Sequence, residues 1–547
     1  MLPCLIFEDE DLLVVNKAAG LNTHAPAPYA GEGIYDWLRH REARWAQLAI
    51  VHRLDKESSG VIVFSKTEKA NRSLTGQFAD RMVRKRYVVV TDRAVSQTEF
   101  RIRSALVRAG NKYMARPAHA TDEPAETRFR VTGSERGRTF LEAQPVTGRT
   151  HQIRAHAAAS GFPILGDTLY GGTPAARVHL HARELTLKHP ATGREITFSA
   201  PVDFAADPRL ALRLALMDSG ESDSYRLVHG ASDGWPGWYV DRLGDFLLSQ
   251  SESGLTEPQR GRLGELMRIF SLQGACHKLL TRQVRKSEAS PRPVLGAVAP
   301  EEIVVLENGL RYALRLQEGY SVGLFLDQRE NRRRFLGGHV AAGFSLDREG
   351  GRDLEARIES RSSSGASPSL PLAGLEILNA FAYTCGFSVC AARAGARTTS
   401  LDLSRKYLDW GKQNFKLNGL DSSGHDFIYG EVFDWLHRFE KRGRRFDVVA
   451  LDPPTFSQSK EAGVFQAEKD FGRLVEAALR VLKSDGALFA STNAARLAPE
   501  GFLDRITSAI REANRRIVRR HYVPQPPDFP VTPGEPAYLK TAWLRVG

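Results

Sequence analysis

One carboxylate stands among basic neighbours near the start of the chain, where HRLDKESSG (52–60) carries Asp55. A second segment, PVTGRTHQIRAHAAASGFPILGDTLYGG (145–172), gathers arginine and histidine at the predicted start of a helix and carries Arg154. An arginine that faces an aspartate holds it ionised and oriented, as a nucleophile requires at neutral pH. The two segments therefore indicate a nucleophilic carboxylate with an arginine partner. The alternative interpretation is an aspartate that caps the Ser-Ser-Gly turn.

In the second half of the chain, acidic residues and small-residue loops follow the predicted ends of successive strands. ILNAFAYTCGFSVCAARAGA (377–396) has the pattern of a strand, a small-residue loop and a helix, and it is not the GxGxxG of dinucleotide enzymes. Asp402 ends the next strand, where an acid can bind ribose hydroxyls. Glu431 ends the third strand, and the DPPTF turn (452–456) ends the fourth. This pattern predicts a nucleotide-type cofactor beside a flat substrate. Taken singly, Asp402 could instead cap the helix that begins at SRKYL, and Glu431 could be an acid in a solvated turn.

The first 200 residues must position Asp55, and their pattern is mainly short β runs with one helix near 150–161. This indicates an α+β arrangement rather than βαβ alternation. The predicted strands are DLLVVNK (11–17), GVIVFSK (60–66), RYVVVT (86–91) and TFLEAQPV (139–146).

After residue 372, strands and helices alternate, which predicts a doubly wound parallel sheet with an antiparallel hairpin at its C-terminal end. Ser/Gly-rich breaks near 204–223 and 345–372 interrupt the chain, and 224–318 reads as short strands with one helix near 257–271. The predicted domain boundaries are 1–203, a linker at 204–223, a small β-rich domain at 224–318, and a last domain at 319–547.

The 547 residues exceed what one hydrophobic core supports, and the formal net charge of +12 favours a polyanionic partner. The four cysteines form no CxxC pair, so neither a metal site nor a disulfide framework is indicated. The N-terminal sequence lacks a signal-like pattern, and no window approaches the ~20 apolar residues of a membrane span. We therefore expect a cytoplasmic protein without a membrane partner.

The first half resembles the RluA-type pseudouridine synthases. EDEDLLVVNKAAGLNTH, the Asp55 motif, KRY, TGRTHQIRAH and GFPILGDTLYGG occur in the family's order. The resemblance implies a pseudouridine synthase fold that isomerises uridine to its carbon-linked form without a cofactor. It also implies that Asp55 is the nucleophile, that Tyr87 stacks on the base and exchanges a proton, and that Arg154 pairs with Asp55.

Four further residues of the first half are predicted to bind substrate. His52 and Arg53 would shape the site or contact the RNA backbone. For Arg149 and His151, phosphate contact and loop packing are both open.

The second half resembles the RlmI and RlmK groups of class I S-adenosylmethionine-dependent 23S rRNA methyltransferases. The resemblance covers 224–547 and includes ENGLRYALRLQEGYSVGLFLDQRENRR (307–333), NAFAYTCGFS and LDPPTFSQSK. It implies a Rossmann-like methyltransferase fold preceded by a small β-rich domain that positions RNA. The implied cofactor residues are Asn379, Phe381, Ala382, Gly386, Ser388, Asp402, Leu403, Glu431, Val432 and Asp452. Asp452 is also the implied catalytic residue, and Pro453, Pro454, Phe456 and Asn493 would contact the target base.

The position of the cysteines bears on the methylated atom. Attack from carbon 5 of cytosine needs a thiolate that first adds to the ring. RlmI-type enzymes carry that cysteine on the strand after the DPP motif, whereas the strand here ends ASTN (490–493), and no cysteine follows Cys390. A ring nitrogen needs only orientation and proximity. We therefore favour a guanine nitrogen, as in RlmK.

These patterns predict a bifunctional enzyme that acts on RNA, most simply 23S rRNA, with tRNA open for the first half. The alternative is that one half is active and the other is an RNA-binding or ribosome-assembly module.

Overall fold

The computed structural model describes residues 2–119, 123–280, 291–318, 321–347, 370–459 and 463–547. They form two compact units, one of residues 1–26, 32–38 and 47–218 and one of residues 27–31, 39–46 and 219–547. Most of the predicted break at 345–372 lies outside the described residues. None of the described helices is long and apolar enough to cross a membrane.

The first unit contains a mixed sheet whose described strands follow the order β1-β2-β4-β10-β5-β9-β8-β6-β7, with β3 beside β4 and β11 beside β10. Its strands are β1 (Leu5–Glu8), β2 (Leu12–Lys17), β3 (Ala49–Ile50), β4 (Ser59–Ser65), β5 (Arg84–Thr91), β6 (Glu99–Ala109), β7 (Lys112–Arg116), β8 (Ala125–Glu135), β9 (Arg138–Pro145), β10 (Leu180–Lys188) and β11 (Glu195–Ser199). Its pairings are antiparallel except that of β4 with β10. The four predicted strands and the helix near 150–161 are confirmed, whereas the other seven described strands and the helices at Ile34–Arg41 and Glu68–Ala79 were not predicted.

Four helices accompany this part of the chain: α1 (Ile34–Arg41), α2 (Glu68–Ala79), α3 (Gln152–Ala159) and α4 (Pro208–Leu216). β4 is buried along its whole length, as a strand between two covered faces should be. One core cluster joins β2, β4 and α2, and another joins β5, β9 and α3. α4 lies inside the segment predicted as a linker, and Asp207 caps it by accepting from the backbone N–H of Arg209. The boundaries at 203 and 318 stay predictions.

The second unit begins with a five-stranded sheet of order β12-β13-β14-β15-β16. These strands are β12 (Ser224–His229), β13 (Trp238–Leu243), β14 (Phe246–Ser251), β15 (Gly274–Leu279) and β16 (Arg292–Gly296). The predicted helix is present as α5 (Glu257–Phe270), and Thr256 and Gln259 form a capping box at its start. Two short hairpins follow, formed by β17 (Ile303–Glu307) with β18 (Leu310–Leu314) and by β19 (His339–Ala341) with β20 (Phe344–Ser345).

The largest sheet of the second unit has the order β23-β22-β21-β24-β27-β29-β28. Its strands are β21 (Glu376–Ala380), β22 (Arg397–Asp402), β23 (Asp426–Tyr429), β24 (Phe446–Leu451), β27 (Leu482–Thr492), β28 (Ile517–Val523) and β29 (Lys540–Val546). The first five in this order are parallel, and β29 is antiparallel to both of its neighbours. This confirms the predicted doubly wound sheet with its C-terminal hairpin. β25 (Phe456–Ser459) and β26 (Gly463–Gln466) form a separate hairpin.

The second unit has six further described helices. They are α6 (Arg329–Gly337), α7 (Gly386–Arg393), α8 (Arg405–Leu417), α9 (Val432–Lys441), α10 (Ala467–Leu479) and α11 (Pro499–Glu512). Of these, α7 to α10 connect the parallel strands, α6 precedes the sheet and α11 leads to its C-terminal hairpin. Short 3-10 turns lie at Ala43–Trp45, Thr168–Tyr170, Gly230–Asp233, Leu326–Gln328 and Ser422–Gly424. Parallel strands place their carboxyl ends at one edge of a sheet, so the loops after β21, β22, β23 and β24 meet there.

Two candidate active sites

The loop that carries Asp55 is held in place by buried polar contacts. Thr23 Oγ1 donates to the Leu54 carbonyl oxygen at 2.9 Å and accepts from the Leu54 N–H at 3.1 Å. Lys17, fully buried, directs its Nζ to the Lys56 carbonyl oxygen at 3.4 Å. Burial lowers the pKa of Lys17 to about 7. Both flanks of Asp55 are therefore fixed, while its own side chain remains 20% exposed.

Arg154 lies behind this carboxylate and is shared among three acids. Its Nε and Nη2 donate to the two oxygens of Asp167 at 2.7 and 2.8 Å. Its Nη1 donates to Glu57 Oε2 at 3.1 Å and lies 3.6 Å from Asp55 Oδ2. Burial alone would lower the pKa of Arg154, but the bonds to Asp167 and the three negative charges raise it. The predicted pair with Asp55 is present, although the tightest partner is Asp167.

The glycine that ends the Asp55 motif is required by the close packing of two strands. Gly60 pairs with Ala182 across the parallel β4–β10 contact and has φ +120°. A Cβ at Gly60 would lie 2.2 Å from the Ala182 carbonyl oxygen, so no side chain fits. The motif thus joins the Asp55 loop to β4, whose second residue must be glycine.

Tyr87 faces Asp55 across a cleft of about 570 Å³ that also contains Arg53, Lys85, Arg149 and Arg154. Burial, with the charge of Asp55, raises the pKa of Tyr87, so its hydroxyl stays protonated at neutral pH. Burial also lowers the pKa of Lys85. The cleft therefore combines the half-buried carboxylate of Asp55, the exposed carboxylate of Glu123, a phenol and a basic wall.

His52 and Arg53 line the cleft in different ways. The His52 ring stacks on Phe78 with 4.7 Å between centroids, and its Nε2 accepts from the Val63 N–H at 3.1 Å. Burial lowers the pKa of His52 to about 3, so the ring is neutral and forms part of the wall. Arg53 is exposed and donates to Thr150 Oγ1 at 2.5 Å. Of the two, Arg53 carries the charge that an RNA phosphate would meet.

Arg149 and His151 lie at the start of α3. Arg149 is half-exposed and pairs with Glu123. His151, at φ 54°, occupies the cap position of α3, and its Nδ1 lies 3.0 Å from the Tyr170 hydroxyl. Burial lowers the pKa of His151, although the charge of Asp55 opposes this effect. His151 thus holds the loop, and Arg149 is the more accessible cation.

The second site begins in the loop between β21 and α7. Phe381, Tyr383 and Cys385 have φ of 62°, 49° and 62°, and such left-handed non-glycine residues cluster at ligand sites. The Asp402 carboxylate accepts from the Tyr383 N–H and the Ser404 N–H, each at 2.8 Å. Burial raises the pKa of Asp402. The strained loop and the end of β22 are therefore joined through one carboxylate.

The side chain of Asn379, near the end of β21, indicates whether a polar cofactor fits beside the loop. It is 1% exposed, and its Nδ2 donates to Ser388 Oγ at 2.9 Å. Its Oδ1 is buried without a hydrogen-bond partner among the described residues. Such an acceptor is unfavourable unless a ligand supplies a donor. The side chains at Ala382, Gly386 and Ser388 are small and leave room beside Asn379. The buried acceptor and this space together fit S-adenosylmethionine.

Glu431, Leu403 and Val432 differ in what they offer a ligand. Glu431 caps α9 and accepts from the Asp434 N–H at 2.9 Å, and burial raises its pKa. Glu431 therefore caps a helix, a role that was not predicted for it; the alternative for this acid was a solvated turn. Leu403 is 41% exposed, whereas Val432 is 1% exposed and belongs to the core. Through its side chain Val432 offers a ligand nothing, so any contact it makes is through its backbone.

The DPPTF turn follows β24 directly. Burial raises the pKa of Asp452 to about 6, and Gln328 Nε2 donates to its Oδ1 at 3.2 Å. Pro453 is buried and Pro454 exposed. Asp452 is thus a carboxylate that titrates close to neutrality at the edge of the sheet.

The rest of the turn presents an aromatic face. Phe456 is 56% exposed, which is unusual for so large an apolar side chain. Thr455 Oγ1 donates to Asn493 Oδ1 at 2.5 Å and thereby ties the turn to the end of β27. Phe456 and Asn493 therefore lie on segments held beside Asp452.

All four cysteines are buried and free. Burial raises the pKa of Cys385 and of Cys390 to about 12 and also raises the pKa of Cys276. Neither Cys385 nor Cys390 is suited to nucleophilic attack. The strand end near Asp452 reads Ser-Thr-Asn, without a thiol.

Four supporting residues were not identified from the sequence: Lys17, Glu57, Asp167 and Gln328. Asp167 stands in the quoted GDTLYGG segment, where an acid between glycine and threonine suggests only a turn. A requirement that a buried arginine have a carboxylate partner would have singled it out.

Comparisons with known proteins agree with this division. A model of the RNA pseudouridylate synthase family matches residues 11–159, and a model of the S-adenosylmethionine-dependent methyltransferase family matches residues 361–545.

Similar whole proteins are named as ribosomal RNA methyltransferases. A ribosomal RNA large subunit methyltransferase of Deinococcus radiodurans is 31% identical over 373 residues, covering 67% of this chain and 83% of the relative. Ribosomal RNA large subunit methyltransferase I of Klebsiella pneumoniae is 31% identical over 335 residues, covering 59% of this chain and 74% of the relative. The solved structure of SMU.776 complexed with SAH has a TM-score of 0.50 and 25% identity, covering 66% of this chain and 86% of that one.

Proposed function

Because the chain belongs to the family of large-subunit ribosomal RNA methyltransferases and carries an RNA pseudouridylate synthase domain ahead of the methyltransferase fold, we propose that it modifies 23S rRNA at both sites. One site converts uridine to pseudouridine, and the other methylates a base. The observation that carries the proposal is the presence of two separate sets of polar residues, around Asp55 and around Asp452, on unrelated folds. Because its proposed substrate is ribosomal RNA, we expect the protein to lie in the cytoplasm.

In the first site, Asp55 acts as the nucleophile toward a uridine flipped into the cleft. Arg154 orients its carboxylate, and Tyr87 packs on the base as a neutral phenol. The isomerisation breaks the bond from N1 to the ribose and forms one from carbon 5. The base loses a proton at carbon 5 and gains one at N1, so the reaction needs no cofactor.

In the second site, Asp402 and Asn379 would hold S-adenosylmethionine, which would supply an electrophilic methyl group. Phe456 stacks on the target base and Asp452 accepts its N–H groups, as a carboxylate can from guanine. A guanine ring nitrogen then needs only alignment. The buried thiols support this choice over carbon 5 of cytosine, which would require a cysteine nucleophile.

Sequencing 23S rRNA from a deletion strain complemented with single variants tests the proposal. Asp55→Asn should remove one pseudouridine and leave the methyl group, and Asp402→Ala should do the reverse. If one of these variants changes no mark, the alternative holds, in which one half only binds RNA. If the deletion removes neither mark, the proposal is wrong.

A further inference from the structure

Gln328 makes three hydrogen bonds at the edge of the methyltransferase sheet. Its Nε2 donates to Asp452 Oδ1 at 3.2 Å and to Ser491 Oγ at 2.7 Å. Its Oε1 accepts from Asn331 Nδ2 at 2.7 Å. The side chain is 3% exposed, so no water competes for these contacts.

Asn331 fixes the amide orientation of Gln328. Asn331 Oδ1 accepts from the indole N–H of Trp543 at 3.2 Å, and its Nδ2 also reaches Thr541 Oγ1 at 3.3 Å. Since an indole nitrogen can only donate, Asn331 must turn its oxygen to Trp543 and its amide nitrogen to Gln328. Gln328 must then present its own nitrogen to Asp452. The chain of contacts leaves no alternative orientation.

From this geometry we propose that Gln328 is the positioning residue that aims the Asp452 carboxylate at the target base. The inference rests on the proposed methyl transfer, in which Asp452 accepts the N–H groups of that base. Gln328 donates to Oδ1 of the carboxylate and to the hydroxyl of Ser491 on β27, which itself bonds the Asp452 carboxylate, so the two side chains hold the carboxylate together. Among the described residues, its side-chain hydrogen bonds go to Asp452, Ser491 and Asn331 and not to the loop after β21.

The charged groups that face Asp452 from this segment are Asp327, which raises its pKa, and Arg332, which lowers it. Burial raises the pKa of Asp452 most, and the hydrogen bonds from Ser491 and then Gln328 stabilise its charged form. The wild-type rate of methyl transfer should fall as the pH drops through about 6, because Asp452 becomes protonated. Loss of Gln328 should move that midpoint upward, since a bond that favours the charged carboxylate is lost.

The variant to test is Gln328→Met, which preserves size and removes all three hydrogen bonds. Methyl transfer to 23S rRNA from the deletion strain is measured between pH 5 and 8. The matched control is Gln525→Met, because Gln525 is 5% exposed and its amide makes only backbone contacts. Gln525→Met should lower stability without moving the midpoint, whereas Gln328→Met should move it.

Two further measurements separate positioning from general damage. In Asp452→Asn, adding Gln328→Met should change the rate little, since the two residues act through one group. The crystal structure of Gln328→Met should show the Asp452 carboxylate rotated. An unchanged midpoint together with an unrotated Asp452 would overturn the inference, while absence of methyl transfer by the wild-type protein would overturn the proposed function instead.

Discussion

The contacts of Arg154 predict that one of its acidic partners, Asp167, matters mainly for the stability of the first unit and another, Asp55, mainly for the reaction. Arg154 and Asp167 are 2% and 1% exposed and share two hydrogen bonds of 2.7 and 2.8 Å. Removing one partner of such a buried pair costs about 3–5 kcal/mol, because the remaining charge is left unpaired. Asp55 is 20% exposed and lies 3.6 Å from Arg154 without a hydrogen bond, so its loss should cost less than about 1 kcal/mol.

Asp167→Asn and Asp55→Asn are therefore expected to differ mainly in how much they lower the stability of the first unit. Asp167→Asn should strongly destabilise the first unit and slow pseudouridine formation, because Arg154 is no longer oriented. Asp55→Asn should abolish pseudouridine formation at nearly unchanged stability.

Hydrogen exchange of peptides from β4 and β9 in rising urea isolates the stability of the first unit from that of the second. Glu57→Gln is the control, since Glu57 is 43% exposed and contacts the same guanidinium. It should behave like Asp55→Asn in stability. If Asp55→Asn destabilises β4 and β9 as much as Asp167→Asn does, Asp55 is the main partner of Arg154 and the reasoning is refuted.

Two further predictions concern the second unit. Iodoacetamide should leave methyl transfer by the native protein intact, because burial raises the pKa of Cys385 and Cys390 to about 12; inactivation with labelling of a single cysteine would point to a thiol mechanism. Gly411→Ala should weaken S-adenosylmethionine binding measured by calorimetry, since its Cβ would lie 2.3 Å from Cys385 Sγ and press on the strained loop. Gly472→Ala, where a Cβ meets nothing within 4 Å, is its control, and equal affinities in the two variants would contradict the prediction.

The sequence predicted the second fold in more detail than the first. Parallel strands covered on both faces are near-continuous apolar runs, as in FDVVALD, and they are easy to recognise between helices. β6 and β8 alternate exposed arginine with partly buried residues and extend for 11 residues each. Their charge resembles that of a solvated loop, so no strand was predicted there.

The candidate sites were predictable where a residue type has few uses, and not where support comes from distant neighbours. Asp55, Tyr87 and Arg154 stand in distinctive segments, and the fold brings them to one cleft. Gln328 is a common residue type in an arginine-rich stretch, and only the packing of Asn331 against Trp543 gives its amide a direction. Sequence spacing carries no information on such contacts between distant segments.

The Asp55 motif shows why reactive and structural demands are difficult to separate in a sequence. Within HRLDKESSG, His52 stacks in the wall, Asp55 stays accessible, Glu57 shares Arg154, and Gly60 admits β10. Only the accessible carboxylate needs to react. The neighbours restrict where it can point, because each is bonded or packed on a different element. Most of the charged residues in the motif thus support Asp55 and do not react themselves. Variants of these neighbours should change the orientation of the Asp55 carboxylate before they change the reaction it performs.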